Sequence, residues 1–139
     1  GVGVGIGPRQ EGLHRSREDR FQGGGEGVQA FEIALGLRVE EALDLVGLET
    51  KSEHLPMELS GGEQQRACLA RAIVKEPDIL LADEPTGNLD PVASFELVRL
   101  LETINEMGTT ILMASHNYNL IKGRGRRILE IKNGTLRGS

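Results

Sequence analysis

The chain has 139 residues, one cysteine and a formal net charge of −5, because 16 Lys and Arg stand against 21 Asp and Glu. This length is that of one domain, and the acidic balance argues against a nucleic-acid binder, which usually carries a basic excess. One cysteine excludes an intrachain disulfide and a zinc site built on cysteines. No apolar run approaches the ~20 residues that span a bilayer.

The composition changes near residue 38. Ten of the 19 glycines lie in residues 1–38, and the region from Arg9 to Gln29 has no sustained helical or strand period. Such a segment buries too little apolar surface to offset chain entropy. We therefore expect the region from Arg9 to Gln29 to be poorly ordered, within an atypical, Gly-rich leader that spans residues 1–38. A frameshifted reading frame and a natural divergent leader are both compatible with the break.

Residues 39–139 alternate between helix and strand signals. Residues 39–46 are amphipathic and end at Gly47, a helix stop signal. The elements predicted next are a helix from the Ser60 capping box to about Lys75, a buried strand at 79–82, a helix from the Asp90 N-cap to about Met107, a second buried strand at 109–114 and a hairpin turning at Asn133-Gly134. This order predicts an α/β fold with a parallel sheet, flanking helices and a C-terminal β-hairpin.

The string Leu59–Arg66 (Leu-Ser-Gly-Gly-Glu-Gln-Gln-Arg) places Ser60, Gly61 and Gly62 at a predicted helix start. Free N–H groups and the positive end of the helix dipole make such a start an anion site, and glycines let a phosphate approach the backbone. An ordinary capped helix is the alternative reading of Ser60 and Glu63 taken alone. Arg66 is interpreted as a surface charge.

Acidic side chains follow the first predicted strand. Asp83 and Glu84 stand at its carboxyl end, the edge at which ligands bind in open α/β sheets. Asp83 suits a Mg²⁺ ion, and Glu84 suits the orientation or deprotonation of a water molecule. His116 follows the second strand, and parallel strands end at one edge, so we expect it near both acids. A solvated turn and a surface histidine are the alternatives.

These motifs, in this order, closely resemble the C-terminal half of the ABC-type ATPase domain, a P-loop NTPase fold. Leu59–Arg66 resembles its signature motif, Ile79–Glu84 its Walker B, Gly87–Asp90 its D-loop and His116 its switch histidine. The resemblance covers residues 39–139. The segment from Leu81 to Asp90 is similar in sequence to the ABC ATPases of the group that contains the lipoprotein-release, macrolide-export and cell-division members. The segment 113–121 is most similar to the cell-division members of that group.

The resemblance implies a subunit that binds and hydrolyses ATP with Mg²⁺ at the cytoplasmic face of the plasma membrane, as a peripheral homodimer with an integral membrane partner. It implies that Asp83 holds the metal and that Glu84 and His116 are catalytic. Ser60, Gly61, Gly62 and Glu63 would contact nucleotide bound by the second subunit, with Asp90 coupling the two sites. No nucleic-acid partner is expected.

The 139 residues contain no G-x-x-x-x-G-K-[ST] string, the loop that wraps nucleotide phosphates. We therefore expect the chain by itself to be inactive, with a hydrophobic sheet edge exposed and low solubility. The alternatives left open are an exporter ATPase of the lipoprotein-release or macrolide type, a DNA-repair or chromosome-structure ATPase, and a catalytically dead fragment. Neither heptads nor paired cysteines support the DNA-linked class.

Overall fold

A computed structural model describes residues 2–6, by their strand pairing, and residues 38–138. The helices are α1 (38–45), α2 (Gly61–Ile73), α3 (Pro91–Glu106) and α4 (Tyr118–Ile121), with short 3₁₀ turns at Glu49–Lys51 and Pro56–Glu58. The strands are β1 (Val2–Ile6), β2 (Ile79–Asp83), β3 (Thr110–Ser115), β4 (Arg127–Lys132) and β5 (Thr135–Gly138). The predicted elements after residue 38 are all present, with ends shifted by one or two residues.

The described strands form one sheet in the order β2-β3-β1-β4-β5. β2 and β3 are parallel and are joined through α3, as the alternating pattern predicts. The other described pairings are antiparallel, because β1 runs against both β3 and β4, and β4 and β5 form a hairpin. Its turn residues, Asn133 and Gly134, both have the positive φ of a type I′ turn.

One apolar core joins the helices to one face of the sheet. It contains Ala42, Val46, Leu48, Leu69, Ala70, Leu80, Leu97, Val98, Leu101, Ile104, Ile111, Met113 and Ile121. The end of α3 is tied to the start of β3 by Asn105, whose Nδ2 donates to the carbonyl oxygen of Thr109 at 2.9 Å. The C-terminal end of α3 is therefore held next to the start of β3.

The opposite face of β2 is open to solvent. Side chains alternate along the strand, so Leu80 is 8% exposed while Ile79 and Leu81 are 61% and 71% exposed. β2 is also an end strand of the sheet in the described part of the chain. These two side chains are exposed on a face of the strand, and the expected low solubility stays a prediction.

The predicted leader falls mostly outside the described residues. Residues 2–6 of the leader pair as β1 within the sheet. The region from Arg9 to Gln29, which we expect to be poorly ordered, lies outside the described residues. Residues 7–37 are not described, and the boundary near residue 38 stays a prediction. In the part of the chain that was searched, no helix has both the length and the apolar character needed to cross a membrane.

We predict that Leu81→Thr lowers self-association of the chain without lowering its stability by more than about 0.5 kcal/mol, since the side chain is exposed. The matched variant Leu80→Thr, one residue away on the buried face, should cost about 3 kcal/mol. Light scattering and urea unfolding of the two variants measure the difference. Equal loss of stability in both would contradict the exposed face.

Candidate functional site

The start of α2 is closed by a reciprocal pair of hydrogen bonds. The Ser60 hydroxyl accepts from the Glu63 N–H at 3.2 Å, and Glu63 Oε2 accepts from the Ser60 N–H at 2.8 Å. This confirms the predicted capping box. The N–H groups of Gly61 and Gly62, the first two helical residues, have no acceptor within the helix. The positive end of α2 therefore presents two free donors.

Gly61 and Gly62 are not required by the chain's own packing. Neither has a positive φ. A Cβ added to Gly61 would lie 3.9 Å from Leu89 Cδ2, and one added to Gly62 would lie 3.6 Å from Ala93 Cβ, which are ordinary contact distances. The glycines instead leave the two free N–H groups open to close approach, the property needed by a site for a phosphate group.

Glu63 caps the helix to which it belongs. The Ser60 N–H that donates to the carboxylate, followed by the Ser60 side chain, holds the pKa of Glu63 below its ordinary value of 4.5. Lys51 and Arg66 lower this pKa further, while burial acts in the opposite direction. The carboxylate is therefore engaged in the cap, and direct contact of Glu63 with a nucleotide stays a prediction.

A polar groove separates the start of α2 from the start of α3. Asp90 caps α3, because its Oδ1 accepts from the N–H groups of Val92 and Ala93 at 2.9 and 3.0 Å. This confirms Asp90 as the N-cap. The groove has a volume of about 360 Å³ and is lined by Ser60, Gly61, Gly62, Arg66, Asn88, Leu89, Asp90, Val92, Ala93 and Glu96. Four of the predicted binding residues therefore share one groove.

Arg66 is a site residue that the sequence reading missed. Its Nη1 lies 3.6 Å from Glu96 Oε2, so an ion pair crosses from α2 to α3. Its Nε is buried and has no hydrogen-bond partner. The sequence spacing could have indicated that Arg66 lies at this site, because it stands four residues after Gly62 and so lies on the same helix face.

Glu84 and His116 meet at the carboxyl ends of β2 and β3. His116 Nδ1 lies 2.9 Å from Glu84 Oε1, and the same oxygen accepts from the His116 backbone N–H at 2.9 Å. Glu84 Oε2 is buried without a hydrogen-bond partner. The parallel pairing explains the meeting of residues 32 positions apart, and the predicted proximity of Glu84 and His116 is confirmed.

The backbone of Glu84 is strained. Its φ of 43° lies in the left-handed region, which a non-glycine residue occupies at a cost of about 1–3 kcal/mol. The Glu84 N–H donates to the carbonyl oxygen of Ala114 at 2.9 Å, so the strand pairing holds this conformation. The left-handed backbone turns the Glu84 side chain toward His116 at the point where β2 ends.

The segment after His116 is anchored to α3. Arg124 Nη1 pairs with Glu102 Oε2 at 2.8 Å, and its Nε donates to the carbonyl oxygen of Leu120 at 2.7 Å. The guanidinium also stacks over the Phe95 ring, 4.8 Å from the centroid. These contacts hold α4, and with it the end of β3 that carries His116.

Asp83 is the last residue of β2 and is exposed. Within the described residues, no three His, Cys, Asp or Glu side chains group closely enough to form a metal site. A single free carboxylate suits Mg²⁺, because this ion keeps several water ligands and takes further ligands from substrate phosphates. It suits less well an ion that needs a full set of protein ligands.

Comparison with known proteins agrees with this geometry. The family model described as ABC transporter matches residues 10–87. The chain belongs to the ABC transporter family. The match begins inside the predicted leader, whose boundary it does not settle. The prediction of an ABC-type ATPase is thus confirmed at the level of the family.

Several curated relatives carry the name cell division ATP-binding protein FtsE. The Streptococcus pneumoniae D39 protein is 59% identical over 97 residues, which are 70% of this chain and 42% of the relative. The Escherichia coli K12 protein is 54% identical over 101 residues, 73% of this chain and 46% of the relative. The chain thus spans less than half the length of these relatives, and its similarity to the cell-division group is confirmed.

Solved structures support the same fold. A bacterial ABC transporter cassette solved as a dimer is 34% identical, with a TM-score of 0.52 over 74% of this chain and 43% of that one. A putative metal-chelate type ABC transporter in an inward-facing conformation reaches a TM-score of 0.68 over 88% of this chain and 48% of that one. At 23% identity the second structure supports the fold alone.

We predict that Glu63→Gln removes a pH-dependent part of the stability. A carboxylate with a lowered pKa stabilises the fold fully above its ordinary pKa, and this contribution is lost as the pH falls through the folded-state value. The difference in unfolding free energy between wild type and variant should be constant above about pH 6 and shrink below about pH 4.5.

Urea unfolding at intervals from pH 7 to pH 3 measures this difference. Glu40→Gln, at an exposed position of α1, is the control and should show no comparable change. A wild-type-to-variant difference that stays constant down to pH 3 would contradict the lowered pKa.

Proposed function

We propose that this chain is part of the ATP-hydrolysing subunit of an ABC complex of the cell-division type. The observation that carries the proposal is the 2.9 Å contact of Glu84 with His116 at the shared ends of two parallel strands, beside Asp83. A carboxylate, an imidazole and a second carboxylate at this edge suit hydrolysis of a metal-bound phosphate anhydride. The name shared by the curated relatives supports the cell-division assignment.

Three residues act on nucleotide bound by their own subunit. Asp83 would hold Mg²⁺ directly or through water, and the ion would supply charge neutralisation for the phosphates. Glu84 orients and deprotonates the attacking water, a role that fits its buried Oε2 without a protein partner. His116 fixes Glu84 through Nδ1 and, through its other ring nitrogen, reaches toward the terminal phosphate.

The groove between α2 and α3 acts on nucleotide bound by a second copy of the subunit. Ser60 and the free N–H groups of Gly61 and Gly62 donate to its terminal phosphate, with the helix dipole adding to the attraction. Asp90, across the groove, links this contact to Glu84 through the short loop between them. Both positions have room for a Cβ, so packing within the chain does not require glycine there. This observation supports the proposed role of the two glycines.

The partners follow from the same assignment. We propose a homodimer that sits peripherally at the cytoplasmic face of the plasma membrane and couples ATP hydrolysis to an FtsX-like permease in cell division. The 139 residues hold no P-loop string, the usual grip on the other phosphates of the nucleotide. For activity tests we define a completed cassette, in which the preceding part of the S. pneumoniae relative is joined to residues 39–139.

In the completed cassette, Glu84→Gln should retain ATP binding and lose turnover by about 100-fold or more, since the amide cannot accept the water proton. Steady-state phosphate release and nucleotide binding measure the two effects. The unmodified 139-residue chain should release no phosphate. Near-normal turnover of the Glu84→Gln cassette would overturn the role of Glu84.

Gly62→Ala should separate stability from activity. Alanine is favoured over glycine inside a helix by about 0.5–1 kcal/mol and its Cβ has room, so unfolding of the 139-residue chain should not become easier. In the completed cassette the methyl group blocks phosphate approach, and turnover should fall at least tenfold.

Cys68→Ala, at an exposed position of the same helix, is the matched control and should leave turnover unchanged. Full turnover in the Gly62→Ala cassette would contradict the donation of this N–H to phosphate.

A further inference from the structure

The two walls of the groove come from distant parts of the chain. One wall begins at Ser60 and the other at Asp90, so local sequence cannot fix their relative position. Where they approach, the positions that Cβ atoms added to Gly61 and Gly62 would take lie 3.9 Å from Leu89 Cδ2 and 3.6 Å from Ala93 Cβ. Small apolar contacts of this kind are non-directional, so they let one helix start slide against the other.

Arg66 provides a directional contact one turn further along. Ion pairs in the part of the chain that the structure describes include Lys51–Glu63, Arg66–Glu96, Glu84–His116 and Arg124–Glu102. Of these, the Arg66–Glu96 pair is the one that joins α2 to α3. It lies in the groove itself, directly after the small contacts.

The exposure of the pair determines what it can do. The Arg66 side chain is 27% exposed and that of Glu96 is 58% exposed, so solvent screens their attraction. Such a pair changes a folding equilibrium by no more than about fivefold. We therefore expect the Arg66–Glu96 pair to affect the relative position of the two helix starts. We expect it to change the free energy of unfolding very little.

We infer that Arg66 is a positioning residue, which acts through Glu96 to hold the start of α2 against the start of α3, so that Ser60, Gly61, Gly62 and Asp90 form one face. The buried Nε without a partner fits a guanidinium held at this place by the pair, since free rotation would let it find an acceptor. The positioning is a property of the fold, while its consequence for catalysis rests on the proposed function.

Hydrogen exchange of the 139-residue chain tests the positioning without any nucleotide. Glu96→Gln keeps the shape of the side chain and removes its charge. We expect amide exchange in residues 60–70 of α2 to rise about threefold, although the substitution lies on α3. Arg66→Glu with Glu96→Arg should restore protection, because the pair is rebuilt in the opposite sense.

Glu102→Gln is the matched control. It is also on α3 and also loses an ion pair, here with Arg124, but it lies outside the groove and should leave residues 60–70 unchanged. If Glu96→Gln and Glu102→Gln leave the exchange of α2 equally unchanged, the inference is wrong. If the 139-residue chain does not fold, the same comparison is made in the completed cassette.

The completed cassette tests the consequence for catalysis. We expect Glu96→Gln and Arg66→Ala to lower kcat about threefold to fivefold with little change in the KM for ATP, while Arg66→Lys, which keeps the charge, retains most of kcat. Unchanged kcat in an active cassette would overturn the link to catalysis. A cassette with no activity at all would instead contradict the proposed function, and the exchange result would still decide the positioning.

Discussion

The parallel pairing of β2 with β3 is the constraint on which the candidate site depends. Because the strands run the same way, Glu84 and His116 leave the sheet at one edge. The Glu84 N–H still pairs with β3, at Ala114, and the carboxylate of the same residue reaches His116. A shift of one residue in this register would turn Leu80 outward and separate the two polar side chains, so core packing and site geometry are fixed together.

Two buried polar atoms lack partners in the described part of the chain, and both belong to the candidate site. One is Oε2 of Glu84 and the other is Nε of Arg66. An unsatisfied buried group costs about 1–3 kcal/mol, so folding alone does not favour either. The left-handed backbone of Glu84 adds a further cost at the same place. Strain and unused hydrogen-bonding capacity thus concentrate where the proposed chemistry needs an acceptor and a charge.

Local signals predicted most of the elements after residue 38. Ser60, Asp90 and Asn133-Gly134 each act within a few residues of themselves, so their caps and turn follow from the sequence directly. Features that depend on residues far apart in the sequence could not be predicted from local signals. The insertion of β1 between β3 and β4 depends on pairing across more than 100 residues. The Arg66–Glu96 pair depends on how two helices dock, which no spacing within either helix specifies.

The glycines at the start of α2 show most clearly how stability and function diverge. Gly61 and Gly62 have ordinary helical backbones and room for a side chain, so alanine would suit the fold of this chain better at both positions. The proposed function explains their presence, because a phosphate that approaches the helix start needs the bare backbone. The groove that they line includes Asp90, the residue that caps α3, and does not include Glu84 or His116. Under the proposed function, the strand ends serve one ligand and the helix ends another, which is the division that a paired ATPase requires.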